Sequence, residues 1–318
     1  MKVLRWIGIA LGGLVGVLVI ALAVAAWVYR DIPAATLEAR YGTEASRYPV
    51  VSGVRMHYRD EGPADPQAPV VVLIHAHFAS LLMWDPWVEA LRDRYRVVRF
   101  DMTSHGLTGP DPTGDHSLKR TIELTEKLID SLGLQRFTLA GTSLGGTVAI
   151  HYAARHPERV ERLVLISPGA LNARVRGSDQ PPKVPTWVNV FQYVTPRALP
   201  RYALQNGFGD KSKLSEELVT QWHELLLREG NRKAELLRVR QYVSGDIEER
   251  IRAVQAPVLI MWGEKNPQVP VEQAQEVKRL LTRSPDVRLI VYPGVGHMTV
   301  QEAPAETARD MRAYLDGA

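Results

Sequence analysis

Residues 137–154 read FTLAGTSLGGTVAIHYAA and carry the strongest structural signal in the chain. An apolar run from Phe137 to Ala140 leads into Gly-Thr-Ser-Leu-Gly at 141–145, and a helical run from Gly146 to Ala154 follows. A serine flanked by glycines between a strand and a helix is typical of a nucleophile elbow, because glycine permits the tight turn that exposes the hydroxyl. This stretch therefore predicts a nucleophile, Ser143, at the carboxyl end of a buried strand.

The alternation of strand and helix continues on both sides of this stretch. The other strand candidates are Val70 to Ile74, Val97 to Phe100, Leu163 to Ile166, Val258 to Trp262 and Leu289 to Tyr292. Several of them are apolar at consecutive positions, as expected for strands covered by helices on both faces. The pattern predicts an α/β fold with a mostly parallel sheet. Before the first of them, Tyr48 to Val51 and Arg55 to Asp60 flank Ser52-Gly53, which predicts a hairpin at the edge of the sheet.

The strand rhythm stops after Ile166 and resumes only at Val258. The helical periodicity that follows Ser215, a typical N-cap residue, indicates helices in between. We therefore predict a helical cap over residues 171–249, inserted into a core made of residues 49–170 and 250–318. Its aromatic side chains are expected either to line an apolar pocket over the sheet or to pack the core of the cap itself. They are Trp187, Phe191, Tyr193, Tyr202, Phe208 and Trp222.

The N-terminus has the composition of a membrane segment. Trp6 to Tyr29 contains no charged residue and is long enough, as a helix, to cross the hydrocarbon core of a bilayer. We predict a transmembrane anchor over residues 1–30 and a linker over 31–48. Lys2 and Arg5 precede the apolar run, which places the N-terminus in the cytoplasm and the rest of the chain outside it.

A cleaved secretory signal is the alternative interpretation of the same segment. Ala23-Val24-Ala25 offers a small-residue cleavage site after a basic start and an apolar stretch. Cleavage there would release a secreted or periplasmic protein instead of an anchored one.

Composition excludes several other functional classes. The 318 residues include no cysteine, which excludes disulfides, thiolate metal sites and cysteine nucleophiles. The formal charge is +4, but Lys and Arg are interleaved with Asp and Glu, so no nucleic-acid partner is expected. The glycines at 141–146 lack the spacing of a dinucleotide fingerprint, and we predict neither a cofactor nor a metal.

Short motifs follow the predicted strands in a fixed order. They are His75-Ala76-His77-Phe78-Ala79-Ser80, Asp101-Met102-Thr103-Ser104-His105-Gly106, the elbow itself, Trp262-Gly263-Glu264-Lys265-Asn266, and Gly294-Val295-Gly296-His297. Together they make the chain resemble the α/β-hydrolase family from Pro49 to the C-terminus, with the closest likeness to its esterase and ring-cleavage-product hydrolase branches. The resemblance implies an α/β-hydrolase fold with a cap. It also implies cleavage of a small-molecule ester with an apolar acyl group, or of a related acyl or C–C bond, through an acyl-Ser143 intermediate.

The resemblance assigns further roles. His297 lies in the loop after the last strand, where the family carries the histidine that serves as general base and then general acid. The oxyanion hole is expected from the backbone amides of Leu144 and His77. Ala76 stands where the family usually has glycine, so the shape of this loop is open. The imidazole of His77 is expected either to add a donor or to point to solvent.

Asn266 stands where the family carries the triad acid. A carboxylate stabilises the imidazolium, whereas an amide can accept a hydrogen bond from Nδ1–H through its oxygen but supplies no charge. Three interpretations remain. Asn266 orients His297 at a reduced rate, another carboxylate such as Glu264 substitutes, or the chain is a weakened enzyme or a binding or scaffolding protein on the same fold.

Overall fold

An eight-stranded sheet forms the centre of the structure, a computed structural model that describes residues 2–171 and 180–317. Its strands are β1 (Ser46–Arg47), β4 (Tyr58–Glu61), β5 (Val70–Ile74), β6 (Arg96–Phe100), β7 (Phe137–Thr142), β8 (Val160–Ile166), β9 (Val258–Gly263) and β10 (Val287–Tyr292). Their order is β1-β4-β6-β5-β7-β8-β9-β10, and every pair from β6 onward along this order is parallel. The predicted mostly parallel α/β sheet is confirmed.

Apolar side chains are buried on both faces of this sheet. In β5, Val72 and Ile74 join one apolar cluster, while Val71 and Leu73 join another. Alternate residues of a strand point to opposite faces, so consecutive apolar residues are what a strand covered on both sides requires. The helices of the core are Asp85–Leu91, Leu118–Ser131, Leu144–Arg155, Ile247–Ala253, Glu272–Leu280, Thr299–Glu302 and Pro304–Asp316.

The predicted hairpin is present, but its predicted place in the sheet is wrong. β2 (Val50–Val51) and β3 (Val54–Arg55) pair antiparallel around Ser52-Gly53, whose φ angles are +48° and +86°. They form a separate two-stranded sheet. The edge of the large sheet is β1 instead, because β4 pairs with β6 and leaves its other side to β1.

Between β8 and β9 the described chain is helical. The longest helices of this insertion are Ala198–Gln205, Glu216–Leu226 and Asn231–Gln241, and a 3₁₀ helix covers Thr186–Gln192. We call the described residues 180–241 the cap. The cap lies over the carboxyl ends of the strands, because its residues line the cavity that contains Ser143.

The N-terminal segment forms one long helix, Lys2–Val28, which is apolar and long enough to cross a membrane. The segment that follows is itself folded, with a helix at Ala34–Tyr41. Leu37 in that helix is fully buried in a small cluster with Leu107 of the core and Leu225 of the cap. The predicted linker therefore packs against both parts of the globular domain.

Candidate active site

Ser143 occupies the sharp turn between β7 and the helix Leu144–Arg155. Its φ is +52°, a conformation that non-glycine residues rarely adopt. The flanking glycines make the turn possible. A Cβ on Gly141 would lie 2.3 Å from the carbonyl oxygen of Gly145, and one on Gly145 would lie 2.3 Å from that of Ile74. The Gly-x-Ser-x-Gly pattern thus has a direct steric cause.

His297 meets the hydroxyl of Ser143 from the loop after β10. The distance from His297 Nε2 to Ser143 Oγ is 3.0 Å. Burial lowers the pKa of His297 to about 4. The loop is held by the cap, because Gly207 O accepts hydrogen bonds from the backbone N–H of His297 at 2.6 Å and of Met298 at 3.1 Å.

Asn266 contacts the other ring nitrogen of His297, but with the opposite polarity to the one that we expected. Its Oδ1 accepts hydrogen bonds from the backbone N–H groups of Gln268 at 3.1 Å and Val269 at 2.9 Å. Its Nδ2 therefore faces His297 Nδ1, at 3.0 Å. The reverse orientation would set the amide hydrogens against two backbone N–H donors, so these two bonds fix the amide.

This orientation determines the tautomer of the histidine. An amide NH₂ that donates to Nδ1 requires Nδ1 to be unprotonated, so the neutral ring carries its proton on Nε2, the nitrogen that faces Ser143. A general base needs a free lone pair on that nitrogen. The resting arrangement therefore holds the imidazole in the tautomer opposite to the one that accepts a proton from Ser143.

Glu264, the alternative acid, is bonded elsewhere. Its Oε2 accepts a hydrogen bond from the backbone N–H of Gly294 at 2.9 Å, on an exposed part of the loop. The structure brings Asn266, and not Glu264, to His297.

The loop after β5 lies beside Ser143 and includes Ala76, His77 and Phe78. Phe78 has a φ of +60°, while Ala76 is not among the residues with positive φ. The methyl group of Ala76 is therefore tolerated without backbone strain, because the left-handed conformation falls two residues later. Leu144 is the first residue of the helix after Ser143, so its backbone N–H has no partner within that helix.

The imidazole of His77 is partly exposed and bonds to the cap through Nε2, a role that neither expectation named. Its Nε2 lies 2.6 Å from Oε2 of Glu235 in the cap. The other carboxylate oxygen of Glu235 accepts a hydrogen bond from Ser104 Oγ at 2.5 Å and lies 3.7 Å from Arg238 Nε. Burial opposes the ionisation of Glu235, but His105, His77 and Arg238 outweigh it and hold the pKa of the carboxyl well below its ordinary value.

Sequence reasoning missed this buried cluster, which consists of His77, Ser104, His105, Glu235 and Arg238. Glu235 lies in the charged helix Asn231–Gln241, whose sequence looks like that of a solvent-exposed helix. Only the tertiary structure shows that this carboxylate is buried and links the cap to the loop beside Ser143.

His77, His105 and Glu235 also offer ligand atoms within 4.8 Å of one another, a spacing compatible with a metal ion. Arg238 opposes this use, since its guanidinium lies 3.7 Å from the same carboxylate and already supplies a positive charge. We interpret the group as a hydrogen-bonded ion pair that fixes the cap to the core.

We expect Glu235→Ala to lower the free energy of unfolding by about 3 to 5 kcal/mol, because it leaves the guanidinium of Arg238 buried without its counter-ion. Urea unfolding followed by circular dichroism measures the change. Glu217→Ala, at an exposed position of the cap, is the matched control and should change stability by less than about 0.5 kcal/mol. A loss below about 1 kcal/mol for Glu235→Ala would show that the cluster does not hold the cap.

A cavity of about 530 Å³ opens above Ser143 and His297. Among the aromatic side chains of the predicted cap, those of Tyr202 and Trp222 line this cavity, whereas that of Phe208 packs in the apolar core. Trp187 and Tyr193 are exposed. The expectation of a pocket lining therefore holds for Tyr202 and Trp222 and that of core packing for Phe208, whereas Trp187 and Tyr193 meet neither.

Comparison with known proteins gives the following likenesses. A family model described as the alpha/beta hydrolase family matches residues 71–310. The chain is 28% identical to the bifunctional esterase/perhydrolase DCH of Acinetobacter calcoaceticus, over 83% of this chain and 96% of that protein. It is 26% identical to the uncharacterized hydrolase YugF of Bacillus subtilis (strain 168), over 80% of this chain and 92% of that one.

Two solved structures have a similar fold. The enol-lactonase from Burkholderia xenovorans LB400 superposes with a TM-score of 0.70 at 22% identity and covers 85% of this chain and 100% of its own. A bacterial membrane phospholipase A superposes with a TM-score of 0.67 at 24% identity. The latter match covers 96% of this chain and 97% of that one.

Proposed function

This chain belongs to the α/β-hydrolase family, and we propose that it is a serine hydrolase that cleaves carboxylic esters, or a related acyl or C–C bond, through an acyl-Ser143 intermediate. The observation that carries the proposal is the 3.0 Å contact between Ser143 Oγ and His297 Nε2 at a strained elbow. The similarity to an esterase over most of both chains supports the same reaction class.

The proposed reaction uses these groups in the following order. Ser143 Oγ attacks the carbonyl carbon of the ester while His297 Nε2 takes the hydroxyl proton. The backbone N–H groups of Leu144 and His77 stabilise the oxyanion. His297 then gives its proton to the departing alkoxide, and the alcohol leaves. Water attacks the acyl-serine in the same way, which returns Ser143 and releases the carboxylic acid.

Asn266 makes this reaction slow in our proposal. His297 must first take up the tautomer with its proton on Nδ1, and that proton would then face the NH₂ group of Asn266. The imidazolium formed during attack would also lack a negative charge beside it. We therefore expect turnover well below that of a family member with a carboxylate at this position.

A fluorophosphonate probe tests the proposal, since it forms a covalent adduct only with an activated serine. We expect labelling of the folded protein on the peptide that contains Ser143, identified by mass spectrometry, and none after heat denaturation. Hydrolysis of p-nitrophenyl esters of increasing acyl length measures the substrate preference.

The second candidate is a binding or scaffolding protein on the same fold, which the orientation of the Asn266 amide favours. Absence of both labelling and hydrolysis in well-folded protein would support it.

We propose that the helix Lys2–Val28 anchors the chain in a membrane, with the globular domain outside the cytoplasm. Its 27 residues extend about 40 Å at the rise of an α-helix, which is enough to cross a bilayer. The alternative remains a signal sequence that is cleaved after export.

N-terminal sequencing of protein extracted from membranes distinguishes the two. We expect the chain to begin at its original N-terminus and to stay in the membrane fraction after a high-salt wash. A mature chain that starts near Ala26 would identify the segment as a cleaved signal.

A further inference from the structure

A second cavity, of about 290 Å³, adjoins the cavity above Ser143. Phe78, Ala203, Trp222 and Val239 line both cavities. The second cavity lies inside the cap and has a mostly apolar wall. Further residues of this wall are Val184, Val188, Phe191, Leu199, Leu226 and Leu236. The proposed reaction does not by itself require this space.

The wall of the second cavity is hydrogen-bonded to the chain where the N-terminal helix ends. Arg232, which lines the cavity, donates to Asp31 Oδ1 at 2.6 Å, and Asp31 is the third residue after the helix. Thr195, also in the wall, accepts a hydrogen bond through its carbonyl oxygen from His223 Nε2 at 2.7 Å. His223 in turn packs edge-to-face against Tyr29. Part of the wall of the second cavity therefore lies beside the end of the proposed membrane helix.

Three large aromatic side chains of the cap are exposed. Trp187, Tyr193 and Tyr202 are 66%, 64% and 67% exposed. Trp and Tyr are the residues that proteins place at the headgroup level of a bilayer, because their rings are apolar and their tips are polar. Their exposure on the cap fits a domain that lies against the membrane to which its own helix is attached.

We propose that the second cavity receives an acyl chain from a membrane lipid and guides its ester carbonyl to Ser143. This inference rests on the proposed function and names its substrate class. An acyl chain that leaves the bilayer is unfavourably exposed to water, and an apolar path that begins at the membrane avoids this exposure. Water supplies hydroxyl to the acyl carbon and hydrogen to the alkoxide as the acyl–oxygen bond breaks, so a fatty acid and a lysolipid leave.

Val188→Trp tests the path, because Val188 lines the second cavity and does not line the first. The full chain is reconstituted in vesicles of dioleoyl phosphatidylcholine. Fatty-acid release from the vesicles and hydrolysis of soluble p-nitrophenyl butyrate are measured in the same sample. We expect the ratio of lipid to butyrate hydrolysis to fall at least tenfold. The matched control is Val190→Trp, on the same 3₁₀ helix but 43% exposed and outside both cavities, and it should change the ratio less than twofold.

The butyrate rate shows that each variant is folded and separates the two levels of the proposal. Hydrolysis of butyrate without release of fatty acid from vesicles by the natural chain would overturn the lipid inference and leave the proposed function intact. An equal effect of the two tryptophan variants on the ratio would also overturn it. If neither butyrate nor the vesicle lipid is hydrolysed, the proposed function itself is overturned.

Discussion

Asn266→Asp is expected to raise kcat/KM for short esters by about 10²- to 10⁴-fold, the upper bound being the roughly 10⁴-fold loss when a serine protease exchanges its acid for the amide. One carboxylate oxygen of the variant keeps the hydrogen bonds from the N–H groups of Gln268 and Val269. The other then accepts from Nδ1–H of His297, which leaves Nε2 free to take the proton of Ser143. The new charge stabilises the imidazolium in the transition state, and kcat/KM for a p-nitrophenyl ester measures the gain.

The pH profile provides a second readout of the same substitution. Burial lowers the pKa of His297 to about 4 in the natural chain. Because only the unprotonated ring can act as the base, kcat/KM should fall only below that pH. A carboxylate beside the ring favours its protonated form and raises its pKa. The acidic limb of the Asn266→Asp profile is therefore expected to lie more than one pH unit higher.

Two controls limit the interpretation. Asn266→Ala removes the amide that holds the unproductive tautomer but adds no charge beside the ring, so it should not reproduce the gain of Asn266→Asp. If Asn266→Asp leaves activity unchanged while Glu264→Gln abolishes it, Glu264 is the acid and the role given to Asn266 is wrong.

Ser143→Ala is expected to have very different effects in two backgrounds. In a serine protease, loss of the serine lowers kcat about 2 × 10⁶-fold, and loss of the acid alone lowers it about 3 × 10⁴-fold. Once the acid is absent, loss of the serine can therefore lower kcat by only about a further 10²-fold. We therefore expect Ser143→Ala to lower kcat by about 10²-fold in the natural chain and by about 10⁴- to 10⁶-fold in Asn266→Asp. Steady-state kinetics with a p-nitrophenyl ester measure both.

Ser212→Ala, at an exposed position of the cap, is the matched control and should leave kcat unchanged in both backgrounds. Equal losses for Ser143→Ala in the two backgrounds would mean that Asn266 already does the work of an acid, contrary to the tautomer argument.

The parts of the site that sequence could predict are those set by local chemistry. Gly141 and Gly145 flank Ser143 because any side chain there would collide with the backbone, and that requirement is visible as a motif. Asn266 follows the buried strand β9 and His297 follows the neighbouring edge strand β10, so their meeting at the carboxyl edge of the sheet could be anticipated from strand order.

The parts that sequence could not predict depend on contacts between distant segments. The direction of the Asn266 amide is set by two backbone N–H groups whose position requires the folded loop. Glu235 looks like a surface residue of a charged helix until His77 and Ser104 are brought to it. The edge position of β1 likewise results from the pairing of β4 with β6. No local turn signal in the sequence specifies this pairing.

The hydrogen bonds between Gly207 of the cap and the loop of His297 have a mechanical consequence. Gly296 packs so closely on Gly207 that a Cβ there would lie 2.3 Å from the Gly207 oxygen, so the two backbones are in direct contact. A cap that swung open as a lid would pull on the backbone that positions the imidazole. Opening of the cap would therefore displace His297 and prevent proton transfer. An opened molecule would be inactive until the cap returned to its closed position. Substrate entry and product release through gaps in a stationary cap would leave His297 in place and would not interrupt catalysis.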